Sequence, residues 1–147
     1  MTKETNPKEA IGADKAPLEL VPDTLMVEAS LAFLEGALKY GRFNWRAAGV
    51  RSSTYRAALQ RHLIRWWNGE DADPATGVKH LASVAACVGI LLDAEACGKL
   101  NDDRPPRAPM GDILDGAPEK MARLREIFKD KNPKQWTIAD DPERTAP

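Results

Sequence analysis

Three observations in this 147-residue sequence predict an all-α fold. Apolar residues recur at three- and four-residue steps over several long stretches. No stretch alternates apolar and polar residues with the period of a strand. Glycine and proline punctuate the helical stretches at intervals that suit short connections, so the pattern is that of a bundle of about four helices with mobile termini.

The elements follow in order. Residues 1–10 are polar and are expected to be mobile. The segment IGADKAPLELVP, with one Gly and two Pro, reads as an ordered loop. A first helix is expected from Asp23 or Thr24, either of which can cap it, with Pro22 just before. Leu25, Ala29, Ala32, Phe33, Gly36 and Ala37 form its apolar side. Gly41 stops it, and Lys39 in the last turn suits the helix dipole. Residues 41–52 read as a loop. Ser52 or Ser53 caps a second helix over about 54–68, ended by Gly69. GEDADPATG is a turn segment, after which Thr76 caps a third helix running to about Cys97 and Gly98. Its alanines, with Gly89, allow close approach of neighbours, which makes it the central helix. The prolines after Asp103 forbid continuation. A fourth helix is expected over about Pro118–Lys131, with Pro118 in its first turn. The tail from Asn132 reads as extended or disordered. The domain division is residues 1–106, a helical domain, and 107–147, a C-terminal helix and tail.

Composition narrows the function. The net charge is −1, so no electrostatic feature points to duplex nucleic acid or an anionic membrane as partner. Apolar residues at 43% and charged residues at 29% describe a globular domain able to bury a core. Cys87 and Cys97 make neither a zinc motif nor a disulfide framework and suit a reducing cytoplasm. The N-terminus lacks an apolar run, so no signal peptide is expected. The longest apolar stretch falls far short of the roughly 20 residues a bilayer requires.

Several side chains could carry chemistry. Glu70, Asp71 and Asp73 lie within four residues, Asp102 and Asp103 form a second pair, and Glu28 and Glu35 lie two turns apart on one helix. Such carboxylates can gather at one end of a bundle as oxygen ligands for a hard cation, although acids after helix ends are commonly solvated or capping. Glu35, amid apolar neighbours, stands out. Lys15, Lys39, Arg42, Arg51, Arg61 and Arg104 could hold phosphate oxygens or lie on the surface. His62 and His80 each sit beside a Leu within a helix, where a hydrogen-bonded structural imidazole is commoner than a ligand or base. Tyr40, Phe43 and Trp45 could stack a base whose edge Asn44 reads, or could plug the loop onto the bundle. Trp66 and Trp67, adjacent on a helix, cannot both face the core. One of them is expected at an oligomer interface or lining a cleft. There is no glycine-rich phosphate loop, HExxH, GxSxG or CxxC.

Three strings, GALKYGxxNW, RHxxxWWxGEDxDxxTGxxHL and LNDDRPP, occur in that order within residues 10–106. Together they resemble the phage and prophage family called dATP/dGTP diphosphohydrolase, N-terminal domain. The resemblance implies hydrolysis of dATP and dGTP, a host-cytoplasmic location and a homodimer or homotetramer. It also implies a distant relation to MazG-type all-α nucleotide pyrophosphohydrolases, whose paired ExxE and ExxD motifs hold metal. Glu70-Asp71-Ala72-Asp73 has the ExxD spacing, but no ExxE lies upstream.

On this reading Mg²⁺ or Mn²⁺ is held by Glu35, Glu70 and Asp73, completed by Asp102 or Asp103. Lys15, Lys39 and Arg104 stabilise phosphate charge. Tyr40, Asn44 and Trp45 hold base and sugar, and His80 orients an acid or ligates. The products are a monophosphate and pyrophosphate. The alternative is a phage protein that binds and sequesters a nucleotide without cutting it.

Overall fold

The structure, a computed structural model, describes residues 6–144, and the expectation of a mobile start falls outside it for residues 1–5. The fold is all-α, as the periodicity predicts. The chain divides into two compact units between Asp103 and Arg104.

In the first unit a short helix α1, Pro7–Gly12, replaces the expected mobile chain over residues 7–10 and runs into the predicted opening loop, which also holds a 3-10 turn at Leu18–Leu20. Asn6 nucleates α1 by accepting from the Lys8 amide, with Pro7 at the first helical position. Helix α2 spans Asp23–Tyr40 and stops at Gly41, whose φ of 91° suits glycine. Its N-cap position is Pro22, with no side-chain cap, so neither Asp23 nor Thr24 plays the expected role.

The predicted loop 41–52 folds further than expected. Phe43 turns into the left-handed region at φ 55° and starts α3, Asn44–Ala48. Two residues then form β1, Val50–Arg51, paired in parallel with β2, Leu100–Asn101, in the register Val50↔Leu100. This pair is too short for any alternation to announce it.

Helix α4 spans Ser52–Trp67. Its cap comes from far along the chain: the Asp103 carboxylate accepts from the Ser53 amide at 2.8 Å and from the Ser53 hydroxyl. Helix α5 starts later than expected and spans His80–Ala96. Thr76 instead closes a local turn by accepting from the Val78 amide. Between α4 and α5, Asp73 accepts from the Ala75 and Thr76 amides, and Ala72 bridges Lys79.

Helix α5 packs on both α2 and α4. Its small residues permit this. A Cβ on Gly89 would lie 3.1 Å from the Phe33 ring of α2. The buried apolar residues, among those described, are Ala29, Val50, Ala82, Ala86 and Ala94, and the largest fully buried side chain is His80. A single chain therefore closes less of a core than its length leads one to expect.

The second unit holds helix α6, Met110–Ile127, and a 3-10 turn at Ile138–Asp140 in the tail, closed by a Thr137–Asp140 capping box. The helix starts eight residues before Pro118, which lies inside it rather than at its start. The apolar spacing runs on through Pro118 from Met110 to Ile127, so amphipathic continuity overrides one lost backbone hydrogen bond. Among the described residues no helix is long and apolar enough to cross a membrane.

Candidate functional site

The first unit places its polar side chains in two groups. The first is built on α4, the loop after it, and the start of α5. His80 is 1% exposed and bonded through both ring nitrogens. Its Nε2 lies 2.7 Å from the Glu70 carboxylate, and its Nδ1 lies 3.0 Å from Nδ1 of His62. The two imidazoles are tilted by 39°. Arg65 donates to the same Glu70 oxygen at 2.9 Å. The bonds from His80 and then Arg65 hold the Glu70 carboxyl below its ordinary range.

Bond direction follows from charge. The Glu70 carboxylate only accepts, so His80 Nε2 carries the proton between them. When His80 is neutral this is its one N–H, so its Nδ1 accepts from Nδ1–H of His62, and that tautomer of His62 leaves Nε2 unprotonated. Burial, and then the His80 ring, push the His62 pKa down, with Arg61 and Arg65 adding to the shift, while the charge of Glu35 opposes it.

Helix α2 borders this group. Glu35 and Lys39 pair one turn apart, and Lys79 just before α5 pairs with Glu28 at 2.8 Å. The bond to Glu35 raises the Lys39 pKa most, and Tyr40 and Asp73 add to it. Backbone amides depress Asp73, His80 and Arg65 contributing. Glu35, Lys39, Asp73, Glu70 and both histidines therefore share one electrostatic neighbourhood, although they come from three helices and a loop.

The expected metal ligands do not come together as one set. Glu35 pairs with Lys39, Glu70 with His80 and Arg65, Asp73 with its own turn, and Asp103 with Ser53. Asp102 lies beside Asp103 in the segment after β2. Among the described residues no group of three or more His, Cys, Asp or Glu side chains could hold a metal ion. In this arrangement the donors do not fit a single cation.

The second group lies where α3 meets α5. Asp93 accepts from Trp45 Nε1 at 2.6 Å and, through both oxygens, from Arg46 at 2.8 Å. Arg46 also lies over the Phe43 ring, and Trp45 contacts Phe33 and Phe43. Trp45 thus lines a groove of 1230 Å³ between α2 and α5, whose walls include Leu25, Leu34, Val88 and Leu92. No member of the Glu70–His80–His62 network lines it. The expected base-holding residues are accordingly divided. Tyr40 ends α2 beside Lys39, whereas Asn44 opens α3 and Trp45 is pinned to α5. Lys15 lies in the turn after α1, and Arg104 is the first residue of the second unit.

The bonds from Arg46 and then Trp45 hold the Asp93 carboxyl at about 2, against an ordinary 3.8. A depressed carboxyl stabilises the fold fully above its ordinary value and progressively less as pH falls toward the folded one. Thermal unfolding of the wild type is thus expected to lose midpoint steadily between pH 4 and 2. Asp93→Asn should start lower at neutral pH and show a shallower acid limb. Parallel limbs in the two proteins would remove Asp93 as a contributor.

Sequence reasoning passed over two residues. His62 looked like a structural histidine, and only its pairing with His80 distinguishes it. Asp93 has a signal, a carboxylate directly after the apolar run VGILL.

Over residues 5–104 the sequence matches the family described as dATP/dGTP diphosphohydrolase, N-terminal. A Salmonella phage PMBT28 protein named dATP/dGTP diphosphohydrolase is 33% identical over 72 residues. That match covers 49% of this chain and 24% of the phage protein, so the chain aligns to about a quarter of its curated relative. No solved structure matches.

Proposed function

We propose, from the premise that this chain belongs to the dATP/dGTP diphosphohydrolase, N-terminal family, that it hydrolyses purine deoxynucleoside triphosphates to monophosphate and pyrophosphate. The observation that carries this reading is the Glu70–His80–His62 network, a buried imidazole held between a carboxylate and a second imidazole. Such an order suits proton abstraction from water.

In the proposed step His62 Nε2 takes a proton from a water molecule as its oxygen bonds to the α-phosphorus. The bond from that phosphorus to the α,β-bridging oxygen breaks, and pyrophosphate leaves with the electron pair. The imidazolium formed on His62 is stabilised through His80 by the negative Glu70, and by the nearby charge of Glu35. Lys39, Arg61 and Arg65 supply positive charge to the phosphates. Tyr40, beside Lys39, contacts the nucleoside in this reading.

The family resemblance adds Mg²⁺ or Mn²⁺ to this reading. Glu70 belongs to the network, and Glu35 and Asp73 share its electrostatic neighbourhood, but each is already bonded within the chain, so no step is routed through a cation. Support for a homo-oligomer, homodimer or homotetramer comes from the groove between α2 and α5, whose apolar walls, among the described residues, are exposed within the first unit.

A screen of the common nucleoside triphosphates, with and without Mg²⁺ and with products separated by chromatography, tests the reading. Monophosphate and pyrophosphate from dATP and dGTP are expected. Intact nucleotide recovered together with bound nucleotide would establish the sequestering alternative.

A further inference from the structure

Glu70 and Asp73 share one acidic motif in the sequence, but their carboxylates have different partners. The segment that joins them to α5 is a hairpin over residues 71–80. The Asp73 amide donates to the Val78 carbonyl at 2.9 Å, and the His80 amide donates to the Asp71 carbonyl at 3.0 Å. Ala72 and Lys79 lie opposite each other between those two bonds. The first arm is tied to α4, because the Glu70 amide donates to the Arg65 carbonyl at 3.0 Å. The second arm runs directly into α5. The ladder ends at His80 on one arm and one residue short of Glu70 on the other. Its register therefore decides whether the Glu70 carboxylate and the His80 ring meet, as they do at 2.7 Å. A slip of one residue would turn the side chains of an arm to the opposite face.

Asp73 holds the register at the turn. Its Oδ1 accepts from the Ala75 amide at 2.8 Å and from the Thr76 amide at 3.2 Å. Its carbonyl accepts from the Gly77 amide at 2.8 Å. Gly77 has φ 73°, in the left-handed region that favours glycine. The Asp73 amide, carbonyl and Oδ1 are thus all bonded to residues 75–78. A side-chain oxygen that closes a turn on amides two and three residues ahead needs to accept, and an asparagine oxygen accepts as well as an aspartate one. Holding a hard cation calls for the charge instead.

We infer that Asp73 is a positioning residue, which by closing the turn of this hairpin sets the Glu70 carboxylate against the His80 ring. The inference rests on the proposed hydrolysis for its kinetic consequence, whereas its geometric consequence can be read without turnover.

Three variants of the full chain test it. Asp73→Asn keeps the acceptor and loses the charge. Asp73→Ala loses both. Gly77→Val leaves every carboxylate in place and opposes the left-handed turn; a Cβ there meets no atom within 4 Å, so its effect is confined to the backbone. All are compared at a temperature where circular dichroism shows them folded. The geometric readout is the proton resonance of the buried His80 Nε2–H, which the carboxylate moves downfield and shields from exchange. It should persist in Asp73→Asn and vanish in Asp73→Ala and Gly77→Val. With dATP or dGTP, kcat should fall about 10²-fold in the latter two at unchanged KM, and by no more than about threefold in Asp73→Asn. Asp73→Asn as slow as Asp73→Ala would assign the loss to charge, as for a cation ligand, and overturn the inference. So would an intact His80 resonance in Asp73→Ala. If the wild-type chain cleaves neither nucleotide, the hydrolysis reading fails by itself and the resonance alone decides the role of Asp73.

Discussion

Glu70→Gln is expected to lower turnover of dATP and dGTP by about 10²- to 10⁴-fold while leaving the helical circular dichroism unchanged. Glu70 is part-exposed and fills no core space, so the substitution opens no cavity. Arg65 and His80 bond the same Glu70 oxygen, so a glutamine keeps its amide oxygen there as acceptor and the bonds stand. What is lost is the negative charge that stabilises, through His80, the imidazolium formed on His62. His62→Gln should cost a similar factor, and the double variant should be no worse than either single one, because the residues act as a unit. Since burial and the His80 ring lower the His62 pKa, turnover should persist below pH 6.5 and fail only on further acidification. The same shift makes the neutral ring part of the folded state's stability, which is present above the ordinary histidine value and fades below it. Near-normal pyrophosphate release by Glu70→Gln would remove the network from the reaction.

Gly49→Ala is expected to destabilise the first unit by about 3 kcal/mol, read as a lower urea midpoint at unchanged m-value. Gly49 has φ 78° and ψ 172°, a region open essentially to glycine alone. A Cβ there would sit 2.8 Å from the Lys99 carbonyl oxygen, which is backbone and cannot swing aside. That carbonyl accepts from the Val50 amide at 3.0 Å, so the methyl group would push apart the bond that opens the β pair. A midpoint equal to wild type would show that the backbone can yield there.

Local signals in the sequence were reliable, and distant ones were silent. The body of α2 and its stop at Gly41 follow from spacing and a single glycine. The sequence misplaces the start of α5 because Thr76 is a good cap by type, yet its hydroxyl serves a turn and the helix waits for His80. Pro118 reads as a first-turn proline, since that is where proline is least costly; only the apolar steps on both sides of it argue for one helix. The cap of α4 by Asp103 joins positions 50 residues apart, and no local pattern carries such a bond. The candidate site divides in the same way. Glu70 and His80 flank one loop and could be singled out. His62 gains its part only when α4 folds back against α5, and Trp45 proves to be held by Asp93 on the groove side, away from the histidines.

The parallel pairing of Val50 with Leu100 has a kinetic consequence. Joining those strands in an otherwise open chain would forfeit the entropy of closing a loop of 50 residues. Once α4 and α5 have zipped together from their shared turn, the two ends already lie side by side and almost none of that entropy remains to be lost. The strand pair should therefore form after the hairpin, late in folding, and Val50 should be among the first amides to exchange with deuterium when the unit opens partially.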